Sequence, residues 1–429
     1  MSLAGAQVLS QVIGFISVVY LARIINAGGF GRLNFAMAIL SYFALLIDLG
    51  LDTLGTREIA RSTNEMDRYV NNILGIRLIA SIFAFILLAV FVYVIPKPPE
   101  VKKLIFLFGL SLFVSAFLIE WVFQGTQQME FIAISHLLKQ IAYVGMIFLF
   151  VKSPEHLLKI PIINLASTFL VTAFLFFIYS KHFNPVKPCF DLVFWKEILK
   201  QSLPMGFSFI MIRIYYNLDS VMLSFMKNDE IVGWYSAAYK IILAILTVGG
   251  FYYTAIFPIM SNLYKTSIEQ LKKLLEVSLS LIILIIVPLL LIVMLSAKHF
   301  IIFIYGPQYA KSVVIFQILL CSIVIIFISS IFGWCLLGCN RQKYYMASVT
   351  VGAVTNIILN FLLIPRFEMV GAAVATVIAE LAVFVMVYHG SKSIVSISFG
   401  NIFSLSLILQ SSEALLGTVL RRKCTNENA

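Results

Sequence analysis

The chain has 429 residues, of which 61% are hydrophobic and only 12% charged, with a mean hydropathy of +0.99. A soluble globular protein is about 45–50% apolar and about 25% charged, so this composition excludes a soluble fold and sets most of the chain against lipid or other membrane helices. The formal net charge of +11 then points to loops meeting anionic headgroups or to a basic cavity; no nucleic-acid motif accompanies it, and no nucleic-acid partner is expected.

Apolar stretches of about twenty residues, long enough to cross a bilayer, recur between short polar loops. They fall near 5–25, 33–52, 72–95, 104–125, 131–152, 160–180, 204–226, 237–259, 277–297, 313–337, 346–364 and 370–389. The opening "MSLAGAQVLSQVIGFISVVYLARI" lacks a basic n-region and runs on as a span, so it does not read as a cleavable signal peptide. The longest connection, about 181–203, holds "FDLVFWKEILKQSLP", an amphipathic stretch suited to the interface, with Pro204 expected to open the next helix. A second amphipathic linker is "NLYKTSIEQLKKLLE". A weaker thirteenth candidate, 397–418, contains Gln410 and Glu413.

The chain also repeats itself. "NAGGFGRLNFAMAI" (26–39) aligns with "NDEIVGWYSAAYKI" (228–241), bringing Gly31 onto Gly233, and "WVFQGTQQME" (121–130) aligns with "WCLLGCNRQK" (334–343), bringing Gly125 onto Gly338. Two matches in the same order predict a parallel repeat of six helices. The fold expected is therefore an all-α integral membrane protein of about twelve transmembrane helices, with a thirteenth candidate, in two pseudo-symmetric six-helix bundles around a central cavity. Its parts are an N-terminal bundle 1–182, a linker 183–203, a C-terminal bundle 204–390, and 391–429 as the candidate thirteenth helix and basic tail.

Cys335 and Cys339 share a helix face in "WCLLGC" and read as packing residues, since a metal site needs more ligands. The five histidines show no ligand spacing, so neither a metal nor a cofactor is expected. Four cations fall within spans, Arg77, Lys139, Arg213 and Lys240, together with the acids Asp48, Glu120, Asp219 and Glu380. A mid-bilayer charge costs roughly 2.5–3.5 kcal/mol on insertion scales. Arg77 and Glu120 lie near span ends and can snorkel, as can Lys139, whereas Arg213, Lys240 and Glu380 lie deeper and suit a hydrated cavity. Arg213 and Asp219, six residues apart, stand about 120° apart around a helix and cannot pair with each other. Basic groups from several helices attract an anion, with phosphate the obvious biological one. Buried acids able to change protonation state are candidates for coupling or gating. Lys and Arg are nearly equal in number on the two sides of the spans, so charge alone leaves the orientation undecided.

The stretches "YLARIINAGGFGRLNFAMA", "LIDLGLDTLGTREIA", "WVFQGTQQMEFIAI", "SLPMGFSFIMIRIYYNLDSVML" and "VGWYSAAYKI" resemble those of the O-antigen flippases (Wzx) and related polysaccharide exporters. That superfamily also holds lipid II flippases and MATE multidrug exporters. The resemblance spans nearly the whole chain and implies two six-helix bundles enclosing a cavity that opens alternately to either side of the cytoplasmic (inner) membrane, with the N-terminus in the cytoplasm. It implies an oligosaccharide on undecaprenyl pyrophosphate as cargo, membrane lipids as partners, a polysaccharide polymerase as a candidate partner, and no enzymatic reaction. On this reading Arg213, Lys240, Lys139 and Arg77 are the cargo-facing cations, and Glu380, Asp219, Asp48 and Glu120 the coupling or gating acids. A lipid II flippase or a MATE-type drug or ion antiporter stands as the alternative, ahead of a membrane-embedded glycan enzyme.

Overall fold

The computed structural model describes residues 3–183, 186 and 189–396, with the side chains of 3, 4, 63 and 207–215 outside that description. The candidate helix 397–418, the basic tail after it and the Arg213 side chain therefore lie outside the described residues. Among the described residues there is no strand. Ten helical segments among the described residues are long and apolar enough to cross a membrane by length and composition, and the chain is a multi-pass membrane protein.

The chain divides into two compact units, Met1–Ser236 and Ala237–Ala429. The first begins with α1 (Leu3–Ile24), α2 (Asn26–Asp48) and α3 (Leu51–Arg61), then α4 (Met66–Val94). The fourth predicted span is built from three shorter helices, α5 (Pro99–Gly109), α6 (Ser111–Ala116) and α7 (Glu120–Gly125). α8 (Met129–Phe150), α9 (Lys159–His182), α10 (Leu192–Met226) and the first turns of α11 (Asp229–Thr266) complete it.

The linker and the seventh predicted span turn out to be one helix. α10 starts where the Asp191 carboxylate accepts the Val193 and Phe194 amides, each at 3.1 Å, an N-cap that satisfies two otherwise unpartnered donors. It then runs through Pro204 rather than beginning there. A proline inside a helix forfeits one backbone hydrogen bond, and packing holds the helix together across it. Phe194, Trp195 and Ile198 are buried, the Trp195 indole donates to Asn72 at 2.9 Å, and the Arg68 guanidinium lies 4.0 Å over the Phe194 ring.

Just past the proline, α10 meets the junction of α2 and α3 at backbone range. Gly50 has φ +81°, a left-handed conformation that favours glycine, and a Cβ there would lie 2.5 Å from the Ser202 carbonyl. A Cβ on Gly206 would in turn lie 2.5 Å from the Leu49 backbone. Side chains are absent at both positions because backbone occupies the space.

The second unit holds the rest of α11, then α12 (Ile268–Leu281), α13 (Val287–Leu295), α14 (Ala297–Tyr305), α15 (Ser312–Gly338) and α16 (Gln342–Lys392). Ser267 caps α12 by accepting the Gln270 amide at 3.3 Å. Between α12 and α13 the helix widens into a π-turn, Ile282–Ile286, directly before Pro288, which cannot donate into the regular ladder. α16 has 51 residues and breaks at Glu368, φ 53°, ψ −130°. The chain reverses there: Gly371 lies against the Leu363 carbonyl, Gly352 against Val383 and Gly390 against Tyr344. The two arms form an antiparallel hairpin, the predicted stretches 346–364 and 370–389. Each of the twelve predicted apolar stretches thus falls on a helix.

Candidate functional site

The charged residues of the spans do not share one environment. In the first unit they gather where α2, α3, α4, α7 and α8 converge. Arg77 of α4 is 3% exposed. Its guanidinium donates to Asp48 at 3.0 Å, to Asp52 at 2.5 Å and to the Leu118 carbonyl at 3.0 Å. A buried charge is tolerated where it is paired and hydrogen-bonded, so Arg77 is held internally and does not snorkel. Asp48 does double duty, because the same oxygen accepts the Asp52 amide at 3.1 Å and caps α3. Asp52, not singled out in the sequence, is the closest partner of Arg77. Its position one helical turn beyond Asp48, past the Leu49–Gly50 break, was the available signal.

Glu120 opens α7 and accepts from the Ser135 hydroxyl at 3.2 Å, while His136 Nε2 approaches its other oxygen at 3.3 Å. Lys139, one turn further along α8, is half-buried. This corner therefore carries three carboxylates, one locked guanidinium, one imidazole and one amine. It supplies one cation, Lys139, whose head is not engaged in an ion pair among the described residues.

Asp219 of α10 is buried and accepts a hydrogen bond from the buried Tyr235 hydroxyl of α11. This contact ties the two helices together. An Asp219→Asn substitution replaces a charged acceptor by a neutral one, and a buried hydrogen bond to a charged group contributes about 1.5–3 kcal/mol. We expect it to lower the amount of monodisperse protein extracted from membranes, measured by fluorescence-detected gel filtration; an unchanged profile would show that the bond is dispensable for folding.

A second charged group joins the start of α2 to α5 and α11. Arg32 Nε lies 3.1 Å from Asp229, and Arg32 Nη1 lies 2.5 Å from Glu100. Lys97, whose side chain is only 10% exposed, donates to the Ser224 carbonyl, lies 4.0 Å from Asp229 and stands over the Phe35 and Phe225 rings at 5.2 and 5.9 Å. Burial pushes the Lys97 amine below its ordinary range, and Asp229 opposes that shift. Lys97 lies in the short connection after the third predicted span, and Ser224 and Asp229, more than a hundred residues further on, are brought to it only by the fold.

Beneath these charges the N-terminal ends of α2 and α11 touch at backbone range. A Cβ on Gly31 would lie 1.8 Å from the Asp229 carbonyl oxygen, and a Cβ on Gly233 1.9 Å from the Ala27 carbonyl oxygen. One 202-residue offset relates Ala27 to Asp229 and Gly31 to Gly233. The contact is therefore reciprocal, as between two copies of one element about a local two-fold.

In the second unit Lys240 of α11 is half-buried and has no ion-pair partner among the described residues. Glu380 is buried on the second arm of α16. On the first arm Asn360 donates to Asn356 at 3.0 Å, both buried.

Comparison with known proteins identifies the family. The profile of the family described as polysaccharide biosynthesis protein matches residues 1–264. The chain belongs to that family. A MatE profile also matches residues 204–362. Among its curated relatives, the family member described here is 22% identical over 386 residues to the putative O-antigen transporter of Escherichia coli strain K12, covering 89% of this chain and 93% of that protein. It is also 22% identical over 404 residues to the capsular polysaccharide biosynthesis protein CapF of Staphylococcus aureus, covering 91% and 97%. Its fold matches the lipid II flippase MurJ in an inward closed conformation with a TM-score of 0.77 at 15% identity, over 98% of this chain and 92% of that one. An inward-facing multidrug resistance MATE family transporter follows at 0.70 and 12% identity, over 90% and 94%. At such identities the structures establish a shared fold.

Proposed function

We propose that the protein is a flippase for a lipid-linked glycan, moving an oligosaccharide carried on undecaprenyl pyrophosphate across the cytoplasmic membrane by alternating access, with its N-terminus in the cytoplasm. The observation that carries this reading is the near-full-length likeness to a protein named as a putative O-antigen transporter and to one named for capsular polysaccharide biosynthesis. The charge chemistry agrees with it. A deep amine without an acid partner costs several kcal/mol in lipid, and a pyrophosphate arriving in a hydrated site would supply the missing anion. Lys240, Lys139 and Arg213 are each proposed as cargo-facing cations. Arg77 stands apart from the cargo set, because its guanidinium is already engaged by Asp48 and Asp52. Glu380, Asp48 and Glu120 are the acids available for coupling or gating. A polysaccharide polymerase, which would receive the translocated unit, is the partner this chemistry suggests.

A second reading, transport of lipid II, is favoured by the fold match to its flippase; both cargoes present a pyrophosphate on a long prenyl chain. Expression in a strain lacking its O-antigen flippase, beside expression in a strain depleted of its lipid II flippase, separates the two. Restored surface glycan in the first strain alone supports the proposal, whereas growth rescue in the second alone overturns it. In the restored strain Lys240→Ala should cut surface glycan about tenfold or more, as the loss of a charge-assisted contact of roughly 1.5–3 kcal/mol requires, with protein level unchanged.

A further inference from the structure

Cys335 and Cys339 lie one helical turn apart at the end of α15, both buried, with their sulfur atoms 4.0 Å apart. A packing role needs two small apolar side chains; it does not need two thiols facing each other. We propose that this pair is a site of reversible oxidation, closing to an intrahelical disulfide when a hydroperoxide reaches it.

The geometry of the turn permits it. In disulfides the two Cα atoms stand about 4.4–6.8 Å apart, and residues four apart on a helix are separated by about 6 Å along its axis. The remaining closure of the sulfurs has to come from the backbone, and the regular helix ends between the two cysteines, at Gly338. Cys339 is the C-terminal cap, at φ −95° and ψ 20°, and Asn340 after it is left-handed at φ 58°. The Cys339 amide donates to the Cys335 carbonyl at 2.9 Å and the Arg341 amide to the Leu336 carbonyl at 2.8 Å, so the two cysteines straddle the point where the regular helix ends. The other side of the helix is braced. Trp334 packs on Tyr253 and Phe257 of α11, so an adjustment falls on the cysteines and the turn into α16.

The chemistry is asymmetric, as such a site requires. The hydrogen bond with the Cys335 thiol and, against the effect of burial, the Arg341 charge hold the Cys339 thiol below its ordinary range, and the thiolate is the nucleophile. Cys339 is also the member next to exposed chain, at Asn340 and Arg341. Its thiolate attacks one peroxide oxygen; the O–O bond breaks, and the sulfur becomes a sulfenic acid with release of hydroxide. The Cys335 thiol then attacks that sulfur. The S–O bond breaks, its hydroxyl leaves with the Cys335 proton as water, and the S–S bond forms. The peroxide has gained two electrons and the dithiol has lost two, and a small thiol reverses the step by exchange. A shared soft metal is the lesser reading, because no group of three or more metal-ligating side chains occurs among the described residues.

The test uses purified full-length protein treated with hydrogen peroxide, then alkylated under denaturing conditions and read by peptide mass spectrometry. The exposed Cys189 and Cys321 serve as internal standards for ordinary thiol oxidation. We expect the peptide holding residues 335 and 339 to lose two hydrogen atoms, to escape alkylation, and to recover both thiols with dithiothreitol. Cys335→Ala should instead drive Cys339 on to an irreversibly oxidised form. If the pair remains alkylatable at peroxide doses that oxidise Cys189 and Cys321, or if Cys339 passes to sulfinic acid in the intact pair, the proposal fails. The readout is chemical and does not depend on the cargo.

Discussion

Gly31→Ala and Gly233→Ala should each abolish most surface glycan in a flippase-deleted strain and sharply reduce monodisperse protein. Neither should be rescued by a smaller neighbour. The added methyl carbons would stand 1.8 and 1.9 Å from backbone carbonyl oxygens of Asp229 and Ala27, and backbone has no alternative rotamer to offer. Overpacking a core costs about 1–3 kcal/mol and occasionally more, and here the helix ends themselves must separate. That separation would pull Arg32 from Asp229 and Lys97 from the Ser224 carbonyl. Because the contact is reciprocal, one shift relieves both clashes, so the double variant should cost little more than either single one. Coupling energies of about 0.5–3 kcal/mol are usual for residues in contact. Gly145→Ala and Gly250→Ala supply the contrast. A Cβ at either position meets nothing within 4 Å, and alanine is the better helix former by about 1 kcal/mol. Full additivity of the two crossing variants, or equal damage from Gly145→Ala, would remove the crossing from the argument.

That contact also marks how far the sequence could be read. The alignment of residues 26–39 with 228–241 paired Gly31 with Gly233, and hydropathy placed all twelve apolar stretches on what prove to be helices. Both signals are local or periodic, so one sequence carries them. That the two aligned glycines touch each other is long-range information, and nothing in either segment states it. The same limit explains Pro204, where the local rule for a helix start was overridden by Trp195, Asn72 and the Gly50–Gly206 approach. It explains Arg77 too. A cation near the end of an apolar stretch reads as snorkelling or cargo-facing, and only the fold brings Asp48, Asp52 and the Leu118 carbonyl around it. Lys240 stands out in the sequence for the opposite reason: a lone amine deep in a span is conspicuous by its neighbours alone.

Arg77→Ala is therefore expected to fail in folding before it fails in transport. Three acceptors lose their donor at once: the carboxylates of Asp48 and Asp52 and the carbonyl of Leu118. Removing one partner of a buried ion pair typically costs about 3–5 kcal/mol, because the surviving charge stays uncompensated. The side chains of Asp48 and Asp52 are 30% and 50% exposed, so water reaches them in part and the cost belongs at the lower end, about 3 kcal/mol. Arg77→Lys should recover only part of it, since one ammonium cannot reproduce a planar fork that serves both aspartates and a backbone carbonyl. Replacing both aspartates by asparagine should make Arg77→Ala cheaper, because the charge left behind is gone. Thermal unfolding of the solubilised protein and membrane immunoblots measure the structural loss, and surface-glycan staining measures transport. A residue that binds the cargo pyrophosphate gives the opposite pattern: normal protein, unchanged unfolding temperature and no glycan. If Arg77→Ala shows that pattern, the guanidinium serves the cargo and the pairing with Asp48 and Asp52 is only its resting state.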